Sequence, residues 1–516
     1  MRSPPIILVG AGIGGLAAAI DLAVAGLEVC VVERAALPGG KMRHVEVDGH
    51  AIDAGPTVLT LRAVLDELLA DAGATPADLP KLCAATVLAR HAWGEAILDL
   101  HADAARNEAA IGDLAGAGEA QAYREFAADS QRLWQAMEHA FLRRPQPGLF
   151  GMLRATGPSG LAALLRLRPG ATLWTELGRR FRDPRLRQMF ARYATYVGAS
   201  PFAAPATLML IAHAERLGVW LVEGGMRALA TGLARLAAAK GVRFRYESDV
   251  AALDIVGGCV RGVTLADGEH LAASAVVLNG DPAALAAAHM KLPVMGRSLS
   301  AVTWCRVTTA RGFPLVRHNV FFSDDYRAEF AALAAGRVPS DPTVYVCAEA
   351  RDGAAAAPAG REALFCLVNA PPDGDRGQPT EEEIARWSEN MAKTLRRSGL
   401  DLVTEAQHVT TPADFAQAFP GRGGALYGPA MRGWMAAFRR PGNRTPVTRL
   451  YLAGGAVHPG PGVPMALLSG RQAAASLIAD LASGRASRVS TARSPMVAMP
   501  GGILMRPART RATPSS

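Results

Sequence analysis

The chain has 516 residues, 50% hydrophobic and 20% charged, with a formal net charge of +9. That length exceeds what one hydrophobic core holds, so two or more domains are expected, and no apolar run is long enough for a spanning helix. The charge is localised: residues 141–192 hold eleven Arg against Glu176 and Asp183, and residues 483–516 hold six Arg and no acid, so the remainder is net acidic.

The apolar run Ile6–Val9 enters Gly10-x-Gly12-x-x-Gly15, residues 16–25 have helical spacing, and residues 27–32 are apolar again before Glu33. Strand, glycine turn, helix, strand and terminal acid in register predict a dinucleotide-binding βαβ unit. Gly10 makes the turn, Gly12 admits a pyrophosphate to the backbone, and Gly15 lets helix pack on strand. The anion sits on the helix N-terminus, and Glu33 accepts from a ribose hydroxyl while repelling a 2′-phosphate. Pro38-Gly39-Gly40-Lys41 and Asp53-Ala54-Gly55-Pro56-Thr57 follow, with a β pattern over residues 42–47 between them. A pure NAD site continues into another βα unit, so these extra clamps favour a flavin.

Arg2 ahead of the first apolar run mimics a short signal peptide, but the glycines break it, and a cytoplasmic protein is expected. Six cysteines without metal spacing read as core residues. Further along, residues 62–75 predict a helix with Leu65, Leu68 and Leu69 on one face. Residues 84–102 predict strands about a turn at Trp93-Gly94, and residues 121–141 a helix. From there to residue 217 the pattern is helix broken by Pro and Gly; Asp183-Pro184 opens one helix, and Pro205 another that carries His213, read as a packing residue. Residues 219–225 restore strand and turn, 228–240 a helix, and 241–246 a strand. Residues 259–265 and 270–278 predict strands around the Asp267-Gly268 hairpin, the whole returning to the first sheet. Asn279-Gly280-Asp281 ends it in a polar turn, where an α/β sheet meets its ligand. Short β runs at 302–309, 344–348 and 363–369, with an amphipathic helix over 381–398, suggest a sheet-plus-helix substrate domain. A strand and turn over 450–455, the rigid run His458-Pro459-Gly460-Pro461-Gly462, and a helix from Pro464 to about residue 481 make a second cradle over the flavin.

The basic segment interleaves Leu149, Phe150, Met152 and Leu153 with Arg154, Arg166 and Arg168. No nucleic-acid module accompanies it, so nucleic acid is not expected. A surface for anionic lipid competes with an ordinary solvated helical face. The tail, rich in Ser, Thr, Pro and Arg, is expected to be disordered.

Taken together, Gly10 to Glu33, Pro38-Gly39-Gly40-Lys41, Asp53-x-Gly55-Pro56-Thr57, Glu223-Gly224-Gly225-Met226, Asn279-Gly280-Asp281 and Gly455 to Met465 resemble the carotenoid desaturases of the phytoene-desaturase type. The last motif departs from the usual family ending by Val457, Pro461, Val463 and Met465, a variant similar to the hydroxycarotenoid 3,4-desaturases of purple photosynthetic bacteria. The resemblance implies FAD and oxidation of a lipophilic polyene, with oxygen or a quinone as electron acceptor and a peripheral place on the inner face of the membrane. It implies flavin contacts by Gly10, Gly12, Gly14, Gly15, Glu33, Arg34, Gly40, Lys41, Gly55, Pro56, Thr57, Val250, Asp281, Gly455, Val463, Pro464 and Met465. No catalytic base is evident; His458 and Asp281 stand in position for one, or simply order the turns around the cofactor. The expected architecture is α/β: a Rossmann-like FAD domain in three parts (1–83, 219–289, 446–482), a substrate domain in two (84–130, 290–445), an inserted membrane-facing helical subdomain (131–218) and the tail (483–516). Amine or porphyrinogen oxidation, and isomerisation without net redox, remain the alternatives.

Overall fold

The computed structural model describes residues 3–146, 148–166, 170–351 and 360–483. Its centre is a five-stranded parallel sheet in the order Arg243–Arg245, Val29–Val32, Ile6–Val9, Ala275–Leu278, Leu450–Leu452. A parallel sheet is covered on both faces, so its strands are apolar throughout. Alternation then sends Leu8, Val31 and Val277 toward the helices, while Ile7, Val32 and Val276 face a three-stranded antiparallel sheet of Val250–Val256, Cys259–Leu265 and His270–Ala272. The helices Ile13–Val24 and Val463–Ala482 cross so closely that a Cβ at Gly470 would lie 1.9 Å from the Gly14 carbonyl oxygen.

A second, seven-stranded sheet runs Asp401–Thr410, Ser300–Arg311, Glu362–Ala370, Val344–Ala348, His318–Phe321, Val87–Trp93, Ala96–His101. One face carries Val302, Trp304, Val346 and Leu364 under helix Glu381–Arg397, which contributes Met391 and Leu395. The other face packs Cys305, Val307, Cys347 and Phe365 on Val47, Ile52 and Ala54, from and just after the hairpin His44–Val47/His50–Asp53. That contact joins the second sheet to the glycine-rich segments of the first. A helical layer including Ala117–Met137, Leu173–Arg180, Pro184–Ala191 and Leu210–Arg216 closes over it around Phe126, Phe181 and Phe190.

Asp183 does cap the helix opened by Pro184, accepting from the Arg185 N–H at 2.8 Å. His213 is buried, its ring centre 6.3 Å from that of Trp134, as a packing residue should be. The C-terminal helix and those over 63–71 and 381–397 lie where expected. Other expectations need correction. The run 270–278 is two strands in two sheets, because Ser274 donates its N–H to the Pro5 carbonyl and moves the chain to a new partner. Strand Val219–Val222 pairs with Leu59–Thr60 and Leu82–Ala84 and stays outside the main sheet. The helix expected over 121–141 starts at Ala117 and passes into π geometry over Glu138–Leu142.

The basic segment also differs from its reading as a lipid-dipping stretch. Met152 is a core residue at 3% exposure and Leu149 and Leu153 pack beside it, leaving Phe150, at 78%, to project. Arg143, Arg179, Arg180 and Arg185 are ion-paired, which consumes part of the Arg excess. The side chains of Arg166 and Arg168, and the tail beyond residue 483, lie outside the described residues. Among those residues no helix is long and apolar enough to cross a membrane.

Candidate active site

The first turn is built as a cradle. Gly10 takes φ +100°, where a Cβ would also meet the Asn279 carbonyl oxygen at 2.7 Å, and a Cβ at Gly15 would lie 2.2 Å from the Gly10 carbonyl oxygen, so strand and helix meet only because Gly15 lacks a side chain. Gly12 is the N-cap of helix Ile13–Val24 and makes no side-chain cap bond, so the first-turn N–H groups stay available to an anion. The second turn lies against the first: Gly39 bridges to Gly12, and a Cβ at Gly40 would sit 3.4 Å from the Gly12 Cα. Gly55 lies against Lys41, a Cβ there falling 1.8 Å from the Lys41 carbonyl oxygen. A second helix N-terminus, at Val463 and Pro464 with Gly462 as its uncapped N-cap, reaches the same place: a Cβ at Gly14 would be 2.7 Å from the Ala466 carbonyl oxygen. Gly455 lies against Pro461 in the intervening loop, which carries a cis His458–Pro459 peptide.

Glu33 ends its strand buried, its carboxylate accepting from Ala11 N–H at 2.6 Å and Ala35 N–H at 2.9 Å. The charge is therefore fixed directly beside the glycine turn. Its carbonyl receives Ser248 N–H at 2.9 Å, which brings Val250, the first residue of its strand, to the same sheet edge. Arg34 points elsewhere, to Asp249 at 3.4 Å and the Gln417 carbonyl at 3.1 Å.

Lys41 is exposed by area yet surrounded: its Nζ donates to the Leu426 carbonyl and stands 5.5 Å from the Phe419 ring centre. Burial among these neighbours pushes its pKa down to about 8, against the pull of Asp281. Asp281 is itself committed, accepting from Arg422 Nε at 2.8 Å and capping the Ala283 N–H at 2.9 Å. His458 is fully buried; its Nε2 lies 3.1 Å and 2.8 Å from the carbonyl oxygens of Phe141 and Arg144, and burial pushes its pKa down to about 4. Both residues thus order turns, His458 by tying the helical layer to the cofactor loop. Met465 lines a cleft of about 390 Å³ with Leu61, Trp134, Leu142, Trp220 and Leu468.

Asn279 and Asp53 lie in motifs marked in the sequence, and the structure shows what each holds; Arg440 carried no mark. Asn279 Nδ2 donates to the carbonyls of Gly10, at 3.1 Å, and Gly12, at 3.4 Å, bracing the turn from the neighbouring strand. The Asp53 carboxylate receives Met226 N–H at 2.5 Å, joining two glycine motifs. Arg440, 1% exposed, donates to the carbonyls of Gly455 at 2.7 Å and Pro429 at 3.0 Å; only its place behind the last cradle singles it out.

The model for flavin containing amine oxidoreductases matches residues 13–478. The chain belongs to that family. It is 47% identical to a hydroxyneurosporene desaturase of Rubrivivax gelatinosus, covering 99% of this chain and 98% of the relative. It is 31% identical to a 1-hydroxycarotenoid 3,4-desaturase of a Flavobacterium species, over 90% and 97% of the two chains. Its fold is that of a solved putrescine oxidase (TM-score 0.59, 15% identity, 93% and 99% covered). The protein is an FAD-dependent oxidoreductase of α/β architecture, and the open helix N-termini, the glycine cradle and the fixed Glu33 fit an FAD pyrophosphate and ribose.

Proposed function

We propose that this protein desaturates an acyclic carotenoid, introducing the 3,4 double bond into a 1-hydroxylated substrate. The near full-length 47% identity to a hydroxyneurosporene desaturase carries the reading. Bound FAD supplies the two-electron acceptor that no side chain provides. The chain's own part is to position the polyene and exclude water. Trp134, Leu142, Trp220 and Met465 give the cleft an apolar wall, with Arg62, Asp66, Glu138 and Arg143 also lining it. With Asp281 in an ion pair and His458 sealed between carbonyls, neither is assigned as a base.

Oxygen or a quinone is proposed as the final acceptor, and the inner face of the membrane as the place of work, since a polyene dissolves in the bilayer and not in water. Purified holoenzyme incubated with phytoene, neurosporene, lycopene and their 1-hydroxy derivatives tests the assignment. Added conjugation should shift the absorption bands to the red with the 1-hydroxylated chains. Efficient conversion of phytoene to lycopene would overturn the assignment.

A further inference from the structure

Arg192 opens the 3-10 turn Arg192–Val197 that follows helix Pro184–Ala191. Its guanidinium stands 5.1 Å from the Tyr196 ring centre and 5.5 Å from that of Tyr345, and Nη1 donates to the Tyr196 hydroxyl at 2.9 Å. Among the described residues this is its only hydrogen bond, and no carboxylate lies within ion-pair distance. The nearby Glu215 is buried and held by the Tyr193 hydroxyl at 2.8 Å and by the hydroxyl of Tyr196, whose oxygen remains the acceptor for Arg192. The Tyr345 hydroxyl meets Thr57 Oγ1 at 2.6 Å and His318 Nδ1 at 2.8 Å. Thr57 closes the Gly55-Pro56-Thr57 segment of the flavin clasp, so a single side chain separates Arg192 from that clasp.

A guanidinium carries five N–H donors. Arg192 is half-buried, and none of its N–H groups is among the buried unpartnered polar atoms, so the donors that Tyr196 does not take face accessible space. A substrate end group that docks here keeps solvent from these donors, and a cation left without acceptors in hydrocarbon surroundings is strongly disfavoured. The arrangement is stable with substrate in place only if the substrate itself brings an oxygen. Burial holds the Tyr345 phenol well above its ordinary pKa and the neighbouring His318 well below, so both stay neutral; Arg317 is a second cation near His318, and Glu215 acts on Arg192 from the other side.

We propose that Arg192, with the phenols of Tyr196 and Tyr345, is the receptor for the hydroxyl oxygen of the substrate's end group. This rests on the function proposed above. Arg192 donates to the alcohol oxygen, and a phenol oxygen accepts the alcohol proton. Because the hydroxyl stands on C1, fixing it fixes C3 and C4 at the clasp, so one contact sets both selection and register. A bare hydrocarbon end leaves the guanidinium unpaired and is rejected, the asymmetry expected of a site built around one polar group.

The test compares kcat/KM of the holoenzyme for one acyclic carotenoid with and without its 1-hydroxyl group, for wild type, Arg192→Leu, Arg192→Lys and Tyr196→Phe. Arg192→Leu should reduce the preference for the hydroxylated chain by at least ~10-fold, Tyr196→Phe should reduce it less, and Arg192→Lys should restore part of it. A flavin-loaded Arg192→Leu with wild-type preference, or with equal losses on both substrates, overturns the inference. If Arg192→Leu does not fold, an unchanged preference in both Arg192→Lys and Tyr196→Phe does the same. Wild type that turns over neither substrate, or the two equally well, overturns the proposed function and this inference with it.

Discussion

A Cβ at Gly12 has one neighbour within 4 Å, Asn279 Nδ2 at 3.1 Å, and otherwise faces the space in which we propose that the pyrophosphate lies. Gly12→Val should therefore fold and lose its flavin; absorbance of the purified protein near the flavin bands, against total protein, measures it. Wild-type stoichiometry would move the cofactor site elsewhere. Glu33→Ala removes a charged acceptor and also frees the Ala11 and Ala35 N–H groups. Hydrogen bonds to charged groups contribute about 1.5–3 kcal/mol, so FAD affinity in titration should fall about 10- to 100-fold. These positions were legible because glycine and a terminal acid carry their reason in their chemistry. Arg192 and Arg440 were not: an arginine in a sequence that holds many says nothing until the fold shows which one is enclosed.

Between elements, the narrowest contact is the crossing of Ile13–Val24 with Val463–Ala482. Gly470→Ala would bring its Cβ to 1.9 Å from Gly14 O, forcing the helices apart. Overpacking of this kind costs about 1–3 kcal/mol, readable in urea unfolding, and should weaken flavin binding as well if, as we propose, the flavin lies at both helix N-termini. An unchanged unfolding midpoint would show that the crossing yields cheaply. The two helices could be read from apolar spacing and from Gly462-Val463-Pro464, but their contact could not, since it joins residues at opposite ends of the chain. Strand Asp401–Thr410 escaped for a different reason. It lies at the edge of its sheet with exposed residues along most of its length, so it lacks the apolar run that marks a strand. The split of 270–278 was hidden because alternation records burial and is blind to which partner supplies it.

Across the whole molecule, three buried histidines set an acid limit. Burial pushes His458 down to about 4 and His91 and His318 to about 3, from 6.5. Below pH 6.5 the unfolded chain takes up protons that the native state refuses, so stability falls as pH drops toward these values and is regained above 6.5. At about 1.4 kcal/mol per unit, His458→Gln should remove up to about 3 kcal/mol of that loss, compared by urea unfolding at pH 7 and pH 4.5. An identical slope in the variant would contradict the neutral, sealed ring. The proposed membrane attachment belongs to this scale too. Phe150 projects beside exposed Arg154, and Leu217, 52% exposed, lies at the cleft. A chain ended after Ser483 should sediment with anionic liposomes at low salt and be released at high salt. Recovery in the supernatant at low salt would remove the membrane surface from the proposal.

The five parallel strands come from the start, the middle and the end of the chain. During synthesis, the strand at Ile6–Val9 must wait for Ala275–Leu278, and that in turn for Leu450–Leu452, before its last wall exists. Chains that pair distant segments assemble slowly and expose apolar edges while they wait. The dinucleotide turn is thus among the first parts to leave the ribosome and among the last to be completed. Flavin supply at the moment of chain release then becomes a determinant of yield, and a ribosome stalled ahead of Leu450 should hold a product that captures no cofactor.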